Sequence, residues 1–110
     1  MSVLDRGKID FLYNEDEFAV TEILDHLIWE HDALIAHWQM LQDKLKDYIG
    51  FIYSGQLKEM FPEKEYKPRI RICFVEQWPE IVEKHLLRQK EYYKELGVDL
   101  VWQLEQTKES

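Results

Sequence analysis

Hydrophobic and polar residues follow a period of two along several short stretches of the chain. Residues 8–13, 69–75 and 98–105 place apolar side chains at every second position, and residues 18–27 are rich in apolar and β-branched side chains. A period of two is typical of a β-strand with one buried face. The polar run 14–17 predicts a turn, so the first two strands should pair as an antiparallel hairpin.

Two longer stretches follow the period of an α-helix instead. Residues 32–53 place apolar side chains three or four positions apart, which predicts a helix with Asp32 as its N-cap and Gly55 as its stop. The predicted buried stripe of this helix is Leu34, Ile35, Trp38, Leu41, Leu45, Tyr48, Ile49 and Ile52. A second helix is predicted over residues 79–96, with a proline at its first position and Gly97 after its end.

The order of these elements is β-β-α-β-α-β, with a packed connection over residues 56–68. Strands joined through helices should run parallel by right-handed crossovers, so the sheet is expected to be mixed. Polar residues alternate with apolar ones in the last two strands, so one face of the sheet should lack helices. The prediction is therefore an α+β two-layer sandwich with a four-stranded mixed sheet and both helices on one face. The pattern predicts a single domain over residues 1–105 and a frayed tail over 106–110, and it leaves the strand order open.

Charge and cysteine content narrow the class of partner. The formal net charge of the 110 residues is −8, which opposes binding to nucleic acid or to anionic membrane surfaces. A protein partner is expected instead, either a different protein or a second copy in a homodimer. The single cysteine, Cys73, cannot form an internal disulfide, which fits a reducing cytoplasm. Neither a signal-peptide core nor a membrane span is predicted.

The stretch DHLIWEHDALIAHW, which begins at Asp25, raises the question of a metal site because it holds three histidines and three acids. A helical partner for His37 should lie three or four residues away. The residues at those positions cannot bind a metal: Ala33, Leu34, Met40 and Leu41. His26 and His31 remain weak candidates for ligand binding, together with Asp25 or Glu30. The favoured interpretation is a strand-to-helix joint without a bound metal.

The second predicted helix contains another candidate group. His85 and Gln89 fall in the middle of its apolar arc, near Tyr92. Buried polar side chains need partners, so the favoured interpretation is a hydrogen bond between the two or to a tyrosine hydroxyl. The alternative is a ligand pocket between helix and sheet, with His85 as a general base. No nucleotide-binding or nucleophile motif accompanies them, and no cofactor is predicted.

Three motifs follow one another in the first half of the chain. They are Asp25-His26-Leu27-x-Trp29, Leu41-Gln42-x-Lys44-Leu45 and Phe51-Ile52-x-Ser54-Gly55. Their order resembles a small bacterial family of uncharacterised single-domain proteins, a domain of unknown function. The resemblance implies that the family signature lies on the strand-to-helix joint and the first helix, and it lends no activity or functional residue.

The functional prediction is a non-enzymatic, cytoplasmic protein-interaction domain that uses an acidic rim and aromatic anchors. Its specific version is an immunity-type inhibitor that covers the basic active site of a toxin. The alternative is a small-molecule-binding protein or minor enzyme with a pocket formed by His85, Gln89 and the tyrosines. No catalytic residue is predicted.

Overall fold

Four strands form one mixed sheet in the order β1-β2-β3-β4 in the computed structural model, which describes residues 9–105. The β1 strand pairs antiparallel with β2, whereas the β2–β3 and β3–β4 pairs are parallel. The predicted hairpin and the predicted mixed sheet are therefore confirmed. The strands are β1 (Phe11–Glu15), β2 (Phe18–Asp25), β3 (Lys67–Phe74) and β4 (Asp99–Leu104).

Helices connect the parallel strands. A 3-10 helix (His31–Ala33) and α1 (Leu34–Tyr53) follow β2, a short α2 (Gln56–Met60) precedes β3, and α3 (Glu80–Glu95) links β3 to β4. Because right-handed crossovers between successive neighbouring strands return on the same side, α1 and α3 cover one face of the sheet. This arrangement is the predicted α+β two-layer sandwich.

The core lies between the helix layer and one face of the sheet. Apolar residues of the strands and the two long helices form one buried cluster. The strands contribute Ile23, Ile70, Ile72, Phe74 and Leu100, and the helices contribute Leu41, Leu45, Tyr48, Val82, Leu86 and Tyr93. The alternation of β3 explains its share, since positions 70, 72 and 74 point to the same face.

The bounds of the strands differ from the predicted ones by a few residues. The first strand was expected from residue 8, which lies outside the described residues, and β1 starts at Phe11. The second strand ends at Asp25 rather than at residue 27, and β3 begins at Lys67. The predicted tail over 106–110 also lies outside the described residues, so the domain boundary stays a prediction.

The ends of α1 confirm one prediction and correct another. Gly55 has a φ of 88°, the left-handed conformation that glycine adopts without strain after a helix. The predicted N-cap Asp32 is wrong, because Asp32 lies inside the 3-10 helix and the chain makes no side-chain cap hydrogen bond there. The connection after α1 contains the short helix α2, which buries Leu57.

Replacing Asp32 with alanine should therefore change the free energy of unfolding by less than about 0.5 kcal/mol, the range of ordinary surface substitutions. A true N-cap would cost about 1 kcal/mol. Urea unfolding of the two proteins measures the difference. A loss near the larger value would mean that Asp32 caps the helix in solution.

The buried side of α1 contains two polar residues that its apolar pattern does not predict. Leu41, Leu45 and Tyr48 are buried as expected, but Ile35 is 83% exposed. His37 and Lys44 are buried instead. Each has an acidic partner: Asp25 at the end of β2 for His37, and Asp10 before β1 for Lys44.

Candidate functional site

The end of β2 and the start of α1 are joined by a buried pair, Asp25 and His37. Asp25 is the last residue of β2, and its side chain is fully buried. One carboxylate oxygen lies 2.7 Å from Nε2 of His37, and the other accepts a hydrogen bond from the backbone N–H of Leu27 at 3.2 Å. A carboxylate oxygen accepts, so Nε2 of His37 is the donor in this contact, and in the tautomer with its proton on Nε2 the free lone pair lies on Nδ1.

Aromatic packing fixes the orientation of the imidazole. Trp29 stacks on His37 with ring centroids 3.5 Å apart and planes 14° from parallel. Trp29 also contacts Phe74, at the end of β3, with centroids 5.8 Å apart. Within the described residues, Nδ1 of His37 is buried without a hydrogen-bond partner. The result is a rigid, oriented acceptor that no group of residues 9–105 satisfies.

A shallow groove of about 440 Å³ lies beside this acceptor. It runs between the segment after β2 and the first turns of α1. Its walls are mostly apolar, and His37, His26 and Glu30 supply the polar groups. The apolar lining residues are Leu27, Ile28, Ala33, Ala36 and Met40. His26 and Glu30, two of the ligand candidates predicted for the joint between β2 and α1, therefore lie in the same groove.

The groove belongs to a strongly acidic end of the molecule. Strands β2, β3 and β4 run parallel and end side by side, so the segments that follow them meet at one edge. Segments 26–33 and 75–83 contain no lysine or arginine. These two segments and the residue after β4 contribute six acids, which we call the acidic end: Glu30, Asp32, Glu76, Glu80, Glu83 and Glu105. The carboxyl edge of parallel strands is also the usual place for ligands in such sheets.

Two tryptophans are held in place at the same edge. The indole N–H groups of Trp78 and Trp102 both donate to one oxygen of Glu83, at 2.7 and 3.0 Å. Trp78 also contacts Phe74, with ring centroids 4.9 Å apart. Glu83, one of the acids of the acidic end, therefore holds both indoles in place.

A buried ion pair fixes Asp10, the residue before β1, to α1. Nζ of Lys44 lies 3.1 Å from a carboxylate oxygen of Asp10, and both side chains are fully buried. The other oxygen of Asp10 accepts from the backbone N–H of Leu24 at 2.9 Å. Tyr48 accepts from the N–H of Asp10 and donates to the carbonyl of Glu22, and burial raises the pKa of its hydroxyl. Because both side chains are fully buried, the pair holds the segment before β1 against α1.

The open face of the sheet carries charges that are paired with one another. Arg71 donates to the hydroxyl of Tyr13 at 2.7 Å and to Glu15 at 2.8 Å, and Tyr13 donates to Glu22 at 2.6 Å. Arg69 binds Asp99 at 2.6 Å. Burial, and then the Glu22 carboxylate, raise the pKa of Tyr13 to about 12. The pairing leaves this face close to neutral, in contrast to the acidic end.

The single thiol lies on the same face and should be unreactive. Cys73 donates to the Glu22 carboxylate at 3.0 Å, and burial together with this carboxylate raises the thiol pKa from 9.0 to about 12. The thiolate is the reactive form, and the raised pKa lowers its fraction at neutral pH about a thousandfold. We expect iodoacetamide to modify the folded protein at pH 8 at least about a hundredfold more slowly than the urea-unfolded protein. Mass spectrometry measures both rates. Equal rates of modification for the folded and unfolded protein would contradict the burial of Cys73.

The structure separates the other predicted site residues. His85 is exposed and contacts the ring of Trp38, and Tyr92 is 61% exposed, so neither lies in a buried stripe. Gln89 exchanges hydrogen bonds with Gln42 of α1, not with His85. His31 is exposed in the 3-10 helix. The expected buried position of His85 is therefore wrong, because the core side of α3 passes through Val82, Leu86 and Tyr93.

Metal ligation receives no geometric support in residues 9–105, where no three histidine, cysteine or acidic side chains are placed to hold an ion. The sequence analysis did not predict the pair of Asp25 with His37. The sequence contains one signal for this pair, which is an acid at the end of a strand followed by a histidine close to the apolar arc of the next helix. Helical spacing alone misses it, because the partner comes from the strand.

Comparison with known proteins gives a family without an activity. The model of a family described as a family of unknown function (DUF6572) matches residues 1–106. No curated protein and no solved structure matches the chain. Within residues 9–105, no helix is long and apolar enough to cross a membrane.

Proposed function

The chain belongs to DUF6572, a family of unknown function, and we propose from its own residues that it is a protein-interaction domain whose acidic end binds a basic protein partner. The observation that carries the proposal is the charge of the two segments 26–33 and 75–83, which contain acids and no lysine or arginine. A field of one sign attracts and orients a partner of the opposite sign.

The surroundings of these acids support a binding role. Aromatic side chains held by hydrogen bonds and stacking lose little entropy when a partner covers them, which is why tryptophan is enriched among energetically important interface residues. Trp78 and Trp102 are held by Glu83, and Trp29 is held by His37. The proposed mechanism is complementarity of shape and charge, without making or breaking a bond.

The specific version of the proposal is an immunity-type inhibitor in the bacterial cytoplasm, with a toxin as the basic partner. An acidic surface of this kind would cover the positively charged site with which a nuclease holds phosphates. Co-expression with each toxin encoded near the gene tests this version. Protection of growth by the wild-type protein supports it, and growth arrest with every such toxin removes it.

A comparison of charge-neutralising variants tests the general proposal. Isothermal titration with the proteins encoded beside the gene should identify a basic partner. The triple variant Glu30→Gln, Glu76→Gln, Glu80→Gln should weaken binding about tenfold, since each exposed charge contributes a few tenths of a kcal/mol to about 1 kcal/mol.

The matched control removes three exposed acids elsewhere, by Glu59→Gln, Glu63→Gln and Glu91→Gln. The control should bind like the wild-type protein. Failure of every neighbour to bind, or equal weakening by both triple variants, would contradict binding at the acidic end.

Self-association is the other form of interaction, through the open sheet face or an edge strand. The main support for self-association is the exposed side chain of Leu104 on the edge strand β4. Light scattering over a hundredfold range of concentration distinguishes a homodimer from a protein that binds only a different partner, because a constant monomer mass excludes the homodimer.

The small-molecule or enzyme alternative around His85, Gln89 and Tyr92 has weaker support. His85 and Tyr92 are exposed, and Gln89 is engaged by Gln42. The groove at His37 is the better place for a ligand, because its buried acceptor has no partner among the described residues.

A further inference from the structure

We infer that the groove beside His37 receives an arginine side chain of the basic partner, which serves as the anchor of the complex. This inference rests on the proposed function, because it names the chemical group that the acidic end recognises. Three features of the groove carry it: the orphan acceptor, the rim charge and the apolar walls.

The orphan acceptor is Nδ1 of His37. The side chain is 3% exposed, Nε2 is committed to Asp25, and Nδ1 has no hydrogen-bond partner within residues 9–105 although the residue lines the groove. A buried acceptor without a partner costs stability, so a ligand that satisfies it gains affinity. The group that satisfies a lone pair must be an N–H or O–H donor.

The charge of the groove selects a cationic donor. Glu30 lies in its lining, and residues 25–43 contain no lysine or arginine. An anionic ligand would meet the carboxylate of Glu30 without a compensating cation from this segment. A cation meets favourable charge from Glu30 and the unpartnered nitrogen of a lining residue, His37.

The shape of the groove favours arginine. Its walls are formed by Leu27, Ala36 and Met40 together with other apolar residues, and an apolar wall suits the methylene stem of arginine. The planar guanidinium presents five N–H donors, which is enough for both Nδ1 of His37 and the Glu30 carboxylate. An ammonium offers no such planar pair.

The probe is N-butylguanidinium, which reproduces the stem and the head of arginine. The neutral control is N-butylurea, which has the same shape and keeps N–H donors. Titration of the ¹⁵N-labelled protein, with its four histidines assigned, should shift the Nδ1 resonance of His37 saturably with N-butylguanidinium. N-butylurea should bind at least about tenfold more weakly, because it lacks the charge.

Two variants test the site without disturbing the buried pair. Ala36→Leu fills the groove and should abolish the saturable shift, whereas Gln39→Leu adds the same side chain to the same helix outside the lining and should leave it unchanged. Equal binding of the two probes, no shift at His37, or a shift that survives Ala36→Leu would overturn the inference.

The failure of this inference is distinguishable from that of the proposed function. A partner that loses affinity in the triple variant of Glu30, Glu76 and Glu80 but binds Ala36→Leu normally leaves the acidic end in place and removes the arginine anchor. A specific shift with N-butylguanidinium supports the anchor site by itself, whether or not a neighbouring gene encodes the partner.

Discussion

Replacing Lys44 with methionine should lower the free energy of unfolding by about 3–5 kcal/mol, the usual cost of removing one partner of a buried ion pair. Lys44 and Asp10 are both fully buried, and their charged atoms lie 3.1 Å apart. Methionine fills most of the volume of lysine, so the loss reports chiefly the uncompensated carboxylate of Asp10 and not a cavity. Urea unfolding followed by circular dichroism measures it.

The control is Lys46→Met, an exposed position on the same helix, which should change stability by less than about 0.5 kcal/mol. The double variant Asp10→Asn, Lys44→Met should recover part of the loss, because no buried charge remains. The single variant Asp10→Asn completes the comparison. A loss in the double variant that equals the sum of the losses of Asp10→Asn and Lys44→Met would show that the two side chains do not act as a pair.

The second large effect is expected for His37→Leu. Removal of the imidazole leaves the buried Asp25 carboxylate with the N–H of Leu27 as its one donor within residues 9–105. We expect a loss of about 3–5 kcal/mol in the free energy of unfolding. Trp29 also loses the ring on which it stacks. Chemical unfolding, with tryptophan fluorescence as the probe, reports both changes.

His85→Leu is the matched control, because it makes the same substitution at an exposed histidine of α3. It should alter the free energy of unfolding by less than about 0.5 kcal/mol. Similar losses in the two variants would show that His37 is no more important to the fold than a surface histidine, and that the pair with Asp25 is not formed in solution.

Much of the fold could be predicted from local pattern. The alternation of Ile70, Ile72 and Phe74 places one face of β3 in the core, and Gly55 and Gly97 mark the ends of the long helices through their left-handed conformations. Strand order could not be predicted, because alternation says which face is buried and not which strand is the neighbour. The order β1-β2-β3-β4 depends on pairing between residues far apart in the sequence.

The errors occur where polar residues enter the core. Hydrophobic periodicity assigns His37 and Lys44 to the boundary or outside of α1, and it assigns Ile35 to the inside. In the structure Asp25 and Asp10 compensate the two polar groups, whereas Ile35 remains 83% exposed. The partners lie 12 and 34 positions away in the sequence, so a helical wheel contains no information about them.

The candidate site was predictable only in part. The joint after Asp25 and its acidic composition are visible in the sequence, and His26 does line the groove. The free acceptor on His37 is not visible, since it depends on which ring nitrogen Asp25 engages. His85 was a candidate because the helical wheel of α3 placed it in the apolar arc. In the structure α3 is rotated so that His85 faces Trp38 and solvent.

The central claim is that the acidic end is the surface that binds a partner. The most direct test is amide chemical-shift mapping of the ¹⁵N-labelled protein in complex with the basic partner identified by titration. The predicted footprint covers residues 26–37 and 75–83. A footprint centred on Tyr13, Arg69 and Arg71 of the open sheet face, with the acidic end unperturbed, would contradict it.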